Sequence, residues 1–148
     1  APPIRNNSSR KALIKGIKQG VIDCIATDHA PHSLHEKETT FDCASFGMIG
    51  LESCFGVVKR ILVDEEGLSL IDLVKLLTVS PRKIMGIDFD LLKKGKEAEL
   101  VLFDSSQNWT FKKNNVFSKS INSPFYGEEL SGKIKYTISK GYISQIPQ

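Results

Sequence analysis

The sequence predicts an α/β fold, and two observations carry that expectation. A short helix pattern, a glycine and then an apolar, β-branched run follow one another directly over Arg10–Gln19, Gly20 and Val21–Ala26. Such a succession is half of a repeating α/β unit. The texture then changes beyond Leu92, where helix-type periodicity gives way to short strand-like runs separated by Gly, Asn, Ser and Lys. A helical first part over residues 1–92 and a small β-structure over residues 93–148 are therefore expected.

The elements follow in order. Ser8 or Ser9 can cap a helix over Arg10–Gln19, with Leu13, Ile14 and Ile17 on one face and Gly20 ending it. Val21–Ala26 has the length and branching of a buried strand. Pro31 cannot continue a ladder and biases Ala30 away from the helical region, so that strand ends near Asp28. From His32 to Phe46 the chain is polar and long for a loop, a length often used for lids or binding loops. A second helix is expected over Leu51–Leu62, with Leu51, Phe55, Val58 and Leu62 on one face, and a turn at Asp64–Gly67. Ser69 caps a helix over Leu70–Leu77, and Pro81 opens a short one through Met85 that Gly86 closes. Strands are expected at Glu99–Phe103, Trp109–Phe111, Lys133–Ser139 and Tyr142–Ile146.

Composition bounds the function classes. The chain is 41% hydrophobic and 25% charged, with no run long enough to cross a membrane and no signal-peptide pattern at Ala1-Pro2-Pro3. Its net charge of +3 is spread over 20 basic and 17 acidic residues, which favours a solvated mixed surface over nucleic-acid binding. Three cysteines, Cys24, Cys43 and Cys54, form no CxxC pair, as expected of a reducing cytoplasm. Cys24 and Cys54 read as small buried hydrophobes, and Cys43 lies in a loop.

Chemistry concentrates in Val21–Lys37, VIDCIATDHAPHSLHEK, where Asp28, His29 and His32 follow the apolar run within a few residues. A carboxylate at the C-terminal tip of a buried parallel strand is where α/β barrels place catalytic groups. Ala26-Thr27-Asp28, Ala30-Pro31-His32 and Lys37 also match, without a mismatch, the second signature of dihydroorotases. The likeness extends to Pro2-Pro3-Ile4-Arg5, Gly47-Met48-Ile49-Gly50-Leu51-Glu52, Glu97–Asp104 and Asn122-Ser123-Pro124-Phe125-Tyr126-Gly127. The chain thus resembles the bacterial-type dihydroorotases of the metal-dependent amidohydrolase superfamily. Ala1 departs from the asparagine often found before the two prolines.

The resemblance implies the last part of a (β/α)8 barrel, with strand 8 and flanking helices over residues 1–92 and part of a composite β-sandwich over residues 93–148. Whole barrels take about 250 residues, so these 148 read as a C-terminal fragment. The family's His-x-His, its carboxylated lysine and its later metal-binding histidines have no counterpart here. The implied reaction is the reversible zinc-dependent cyclisation of N-carbamoyl-L-aspartate to dihydroorotate in pyrimidine biosynthesis, in a cytoplasmic homo-oligomer. A metal pair would activate a bridging water and polarise the carbonyl, and a nearby carboxylate would carry the water proton to the leaving nitrogen.

By resemblance Asp28 is that catalytic carboxylate and also a zinc contact; the plainer reading is an aspartate capping a turn. His32 resembles the residue holding the substrate carboxylate, a task suited to a charge-assisted donor, against a role anchoring the loop. Gly47 and Gly50 resemble the loop whose backbone meets the pyrimidine edge, although ordinary turn glycines remain an alternative. His29 is expected to pack or support the site, His35 to be exposed, and Lys37 to make either an ion pair or a substrate contact. The alternatives are a non-catalytic homologue scaffolding aspartate transcarbamoylase, or an allantoinase or hydantoinase. The fragment alone is expected to be inactive.

Overall fold

The computed structural model describes residues 4–89 and 92–146. Pro2 and Pro3 of the expected Pro-Pro-Ile-Arg element lie outside them.

The first half is helical. α1 spans Asn7–Lys18, and its cap is Asn6, whose side chain accepts from the Ser9 amide at 2.8 Å; the serines predicted as caps lie inside the helix. Asn satisfies the orphan amides as well as Ser, which is why composition could not choose between them. Ile14 is buried and Leu13 exposed, so the core-facing stripe is narrower than predicted. α2 is a single turn, Leu34–Lys37, closed by a capping box between Ser33 and Glu36. α3, Leu51–Val58, is shorter than the predicted Leu51–Leu62 helix, because the chain widens into a π-helical stretch over Lys59–Glu65. That stretch also takes in Asp64 and Glu65, the first half of the turn expected at Asp64–Gly67. α4, Leu70–Leu77, runs as predicted, with the Ser69 side chain accepting from the Asp72 amide. α5 spans Val79–Ile84, and Pro81 falls at its third residue rather than its first.

The second half is one antiparallel sheet in the order β1-β2-β3, with β1 at Leu100–Thr110, β2 at Glu129–Ser139 and β3 at Tyr142–Gln145. The two strands expected at Glu99–Phe103 and Trp109–Phe111 join into β1 across a bulge. Asp104 pairs with Lys133 and Asn108 with Ser131, so Ser105, Ser106 and Gln107 face Gly132 alone. Asp104 stabilises the bulge by accepting from the Ser106 amide at 2.9 Å.

Val21–Ala26 forms no ladder, which corrects the strand prediction. It is an irregular stretch with a bend at Ile22, and its Ile25 amide donates to the Leu76 carbonyl at 3.1 Å. A buried strand exists only where neighbouring strands take its amides and carbonyls, and among the described residues none lies alongside. The one sheet-like contact nearby is an isolated parallel bridge between His29 and Met48. Among the described residues the architecture is mixed helix and sheet, and a (β/α)8 barrel is not shown.

Ile14, Leu62 and Leu73 form the buried cluster that joins α1, the π-helical stretch and α4, with Ile25 and Phe55 packed against it. Around α3 and the sheet, Phe111 and Leu130 are fully buried. Gly56 of α3 lets the helix lie on β2: a Cβ there would sit 2.8 Å from Leu130 Cβ. Lys59 is 5% exposed, yet its ammonium is satisfied by Asp64 at 2.9 Å and by Ser131 Oγ at 2.8 Å. No helix among the described residues is long and apolar enough to cross a membrane.

Candidate functional site

Three segments meet at the candidate site: Thr27–His32, Ser45–Leu51 and Ser120–Asn122. The first two are linked by the His29–Met48 bridge, in which the Ala30 amide donates to the Met48 carbonyl at 2.9 Å. The third lies beneath both. Ser120 Oγ donates to the His32 carbonyl at 2.5 Å, Asn122 Nδ2 donates to the Gly47 carbonyl at 2.9 Å, and the Ile49 amide donates to the Asn122 carbonyl at 3.0 Å.

Asp28 is exposed and sits in left-handed backbone, with φ of 47°. Aspartate tolerates that region better than most residues, and backbone outliers of this kind collect at functional sites. The conformation turns the chain sharply just before His29, which is why strand alternation does not continue through the motif. His29 Nδ1 instead accepts from the Gly50 amide at 3.1 Å and the Leu51 amide at 3.4 Å, capping the start of α3. Its ring proton is therefore on Nε2.

His32 faces Phe46, whose carbonyl lies 2.7 Å from Nε2. A carbonyl can only accept, so Nε2 carries a proton and donates. Nδ1 lies 3.8 Å from Glu36 Oε1, an ion pair whenever the ring is protonated. The Glu36 carboxyl is held below the usual carboxylate range, first by the Ser33 amide, then by the Ser33 hydroxyl and by His32. Gly47, with φ of 128°, lies against this pair: a Cβ there would be 2.5 Å from Ala30 Cβ and 3.1 Å from His32 Nε2. Close approach is thus the reason for glycine at 47. Gly50 is similarly close, its virtual Cβ 3.1 Å from the Thr27 carbonyl oxygen.

Lys37 makes no ion pair among the described residues. Its ammonium donates to the carbonyls of Ser45 at 2.7 Å and Gly47 at 3.1 Å. His35 is exposed, as expected. Cys43 is exposed, whereas Cys24 and Cys54 are half-buried rather than fully buried, and burial pushes the Cys54 thiol up. Sequence reasoning missed Ser120 altogether and gave Asn122 no role, since only the folded chain brings them under residues 32 and 47.

Glu52, in the first turn of α3, ties the helix to the segment after β1. Its Oε1 accepts from the Phe117 and Ser118 amides and from Ser118 Oγ. Burial raises its pKa, but the Ser118 hydroxyl and the backbone amides outweigh burial and hold the carboxyl low. An apolar cavity of about 670 Å³ lies elsewhere, between α4, α5 and the sheet, lined by Leu77, Phe89, Val101 and Ile138 among others. None of Asp28, His32 and Gly47 lines it, so it has no part in this chemistry.

Among the described residues no three His, Cys, Asp or Glu side chains converge as a metal would require. Catalytic zinc takes three protein ligands. The residues present do not by themselves fit a zinc centre.

Comparison with known proteins agrees with the motif. Residues 5–143 match the sequence profile of the amidohydrolase family. The chain is 44% identical over 142 residues to the dihydroorotase of Caldicellulosiruptor saccharolyticus, covering 96% of this chain and 33% of that protein. It is 41% identical to the dihydroorotase of Aquifex aeolicus, over 95% of this chain and 33% of that one. It therefore spans about a third of the length of these relatives. Among solved structures it superposes on an L-hydantoinase (dihydropyrimidinase) from Arthrobacter aurescens with a TM-score of 0.84 and 26% identity, over all of this chain and 34% of that one. A D-hydantoinase from Bacillus sp. AR9 gives 0.85 at 23% identity, over 97% and 33%, a likeness of fold. With a family profile spanning nearly its whole length, the chain belongs to the amidohydrolase family.

Proposed function

We propose that this chain is the C-terminal part of a dihydroorotase, the enzyme that interconverts N-carbamoyl-L-aspartate and dihydroorotate. The observation carrying the reading is the unbroken run Ala26–Lys37, in which Asp28, His32 and Lys37 each occupy a signature position. The identity to dihydroorotases and the approach of Gly47 to His32 support it. In the whole enzyme residues 1–92 would complete a (β/α)8 barrel, and residues 93–148 would form part of its β-sandwich. A cytoplasmic homo-oligomer, with aspartate transcarbamoylase as a candidate partner, belongs to the same proposal.

Asp28 is the group that moves a proton. An exposed carboxylate on a strained turn can take a proton from an attacking water and return it to the departing nitrogen. His32 holds the substrate carboxylate through a charge-assisted hydrogen bond, with Glu36 3.8 Å from its Nδ1. Gly47 gives the substrate close access to main chain beside that ring. Zinc is the proposed cofactor of the whole enzyme, and Asp28 is the ligand this chain offers to it.

A hydantoinase or allantoinase is the second reading, and the hydantoinase-like fold is compatible with it. Assaying the full-length protein on carbamoyl aspartate, a hydantoin and allantoin decides between them. Ring closure of carbamoyl aspartate well above the other two activities is expected; preferred hydantoin hydrolysis would overturn the reading. The 148 residues alone, supplied with zinc, are expected to show no turnover of carbamoyl aspartate against a chelator control.

A further inference from the structure

We propose that Lys37 is a positioning residue for the substrate carboxylate, acting on His32 through the Phe46–Gly47 peptide. The inference rests on the substrate-binding role given to His32 above.

The geometry is that of a clamp. Lys37 is half-buried and spends its charge on the two carbonyls that flank Phe46 in the chain, Ser45 at 2.7 Å and Gly47 at 3.1 Å. The Gly47 carbonyl is held a second time by Asn122 Nδ2 at 2.9 Å. Between these two fixed points stands the Phe46 carbonyl, which takes the Nε2 proton of His32 at 2.7 Å. The Phe46 side chain does not secure this stretch, for it is 82% exposed. The place of the Phe46 carbonyl is therefore set by polar holds on either side of it: Lys37, Asn122 and the Ser45 amide, which donates to the Glu36 carbonyl at 3.1 Å.

That carbonyl in turn sets the orientation of the imidazole. With Nε2 committed to Phe46, the ring plane is fixed and Nδ1 is turned towards the side where Glu36 stands 3.8 Å away. A substrate anion competes for a donor held in one place, which lowers the ordering cost of binding. Without the lysine, two carbonyls lose a charged donor, the Ser45–Gly47 stretch loosens, and His32 samples several orientations. The consequence falls on substrate affinity and not on proton transfer at Asp28.

The test is a double-mutant cycle in the full-length enzyme with carbamoyl aspartate as substrate, using Lys37→Met, His32→Ala and both together. Lys37→Met is expected to raise KM roughly tenfold, the scale of a lost charge-assisted bond, with kcat within about threefold of the parent. In the His32→Ala background the same substitution is expected to raise KM by less than about twofold, because the residue through which it acts is gone. An equal KM effect in both backgrounds, or a lowered melting temperature with KM unchanged, would overturn the proposal. If Lys37→Met does not fold, Asn122→Ala removes the second hold on the Gly47 carbonyl and is read in the same cycle with the same expectations. Should His32→Ala leave KM unchanged, the substrate role of His32 fails and this inference with it. A KM raised by His32→Ala but untouched by Lys37→Met or Asn122→Ala sinks the clamp alone.

Discussion

Two regions of the molecule are held together in opposite ways. Where α3 lies on β2, contact is close and largely apolar: Gly56 admits Leu130, Gly132 admits Phe55 and the Lys59 stem, and Phe55 meets Phe103 edge-on with ring centres 4.7 Å apart. At the candidate site, Thr27–His32 and Ser45–Leu51 are joined by polar bonds to main chain, and Phe41 and Phe46 nearby are exposed. The first arrangement resists unfolding, because buried apolar area and packing dominate stability. The second fixes the direction of a few polar groups at small cost to the rest. Substitutions should therefore separate the two, changing stability in one region and kinetics in the other.

The largest stability effect is expected at Gly132→Ala. Its φ of 81° disfavours any side chain, and the new Cβ would stand 2.8 Å from both Phe55 Cε1 and Lys59 Cδ. Denaturant melts should show a loss of about 2–4 kcal/mol, the sum of left-handed strain and overpacking. His32→Ala belongs to the other class: KM should rise by about one to two decades, equivalent to roughly 1.5–3 kcal/mol, with melting nearly unchanged. Lys59→Met keeps the stem but strips partners from Ser131, which is buried, and from Asp64, which water can reach. A loss of about 1–2 kcal/mol is expected in the same melts. Gly56→Ala sets two effects against each other. Helix propensity gains up to about 1 kcal/mol, while a contact of 2.8 Å to Leu130 Cβ forces a backbone shift. Overpacking should win by about 1 kcal/mol, since a Cβ cannot swing aside as a side-chain end can.

Acid adds a further distinction. Burial raises the Asp64 carboxyl, but bonds from Ser131 and Lys59 and the Lys59 charge outweigh it, leaving the group below its ordinary value. Glu52 is likewise held low by its bonds to Ser118 and Phe117. A depressed carboxylate contributes stability that is fully present above its unfolded pKa of about 4 and is lost as pH falls through the lower folded value. Melting temperature should accordingly drop below about pH 4, and less steeply in Glu52→Gln than in the parent chain.

Local signals were the legible ones. Ser69 before an apolar-periodic run placed α4 at Leu70–Leu77, because cap and stripe are both written within eight residues. β3 was legible for the same reason, in a short branched run after Lys140-Gly141. The joining of two predicted strands into β1 was not, since Ser105–Gln107 reads as a turn until Gly132 stands opposite. Nor was the fate of Val21–Ala26, whose composition suits a strand but whose ladder needs neighbours. At the site, Asp28, His32 and Gly47 were legible as a motif. The cap that His29 provides to α3 and the undergirding by Ser120 and Asn122 depend on contacts across 21 to 88 residues of chain. No spacing rule reports those.

The most direct test of the account is kcat for ring closure of carbamoyl aspartate by the full-length enzyme carrying Asp28→Asn, measured beside its melting curve. An amide of the same shape cannot accept the water proton, so kcat should fall by about two to four decades, the usual worth of a positioned acid–base group. Melting should shift little, because Asp28 is exposed and outside the packed core. Turnover near that of the parent, from a variant shown to be folded, would contradict the assignment of Asp28 and the functional reading built on it.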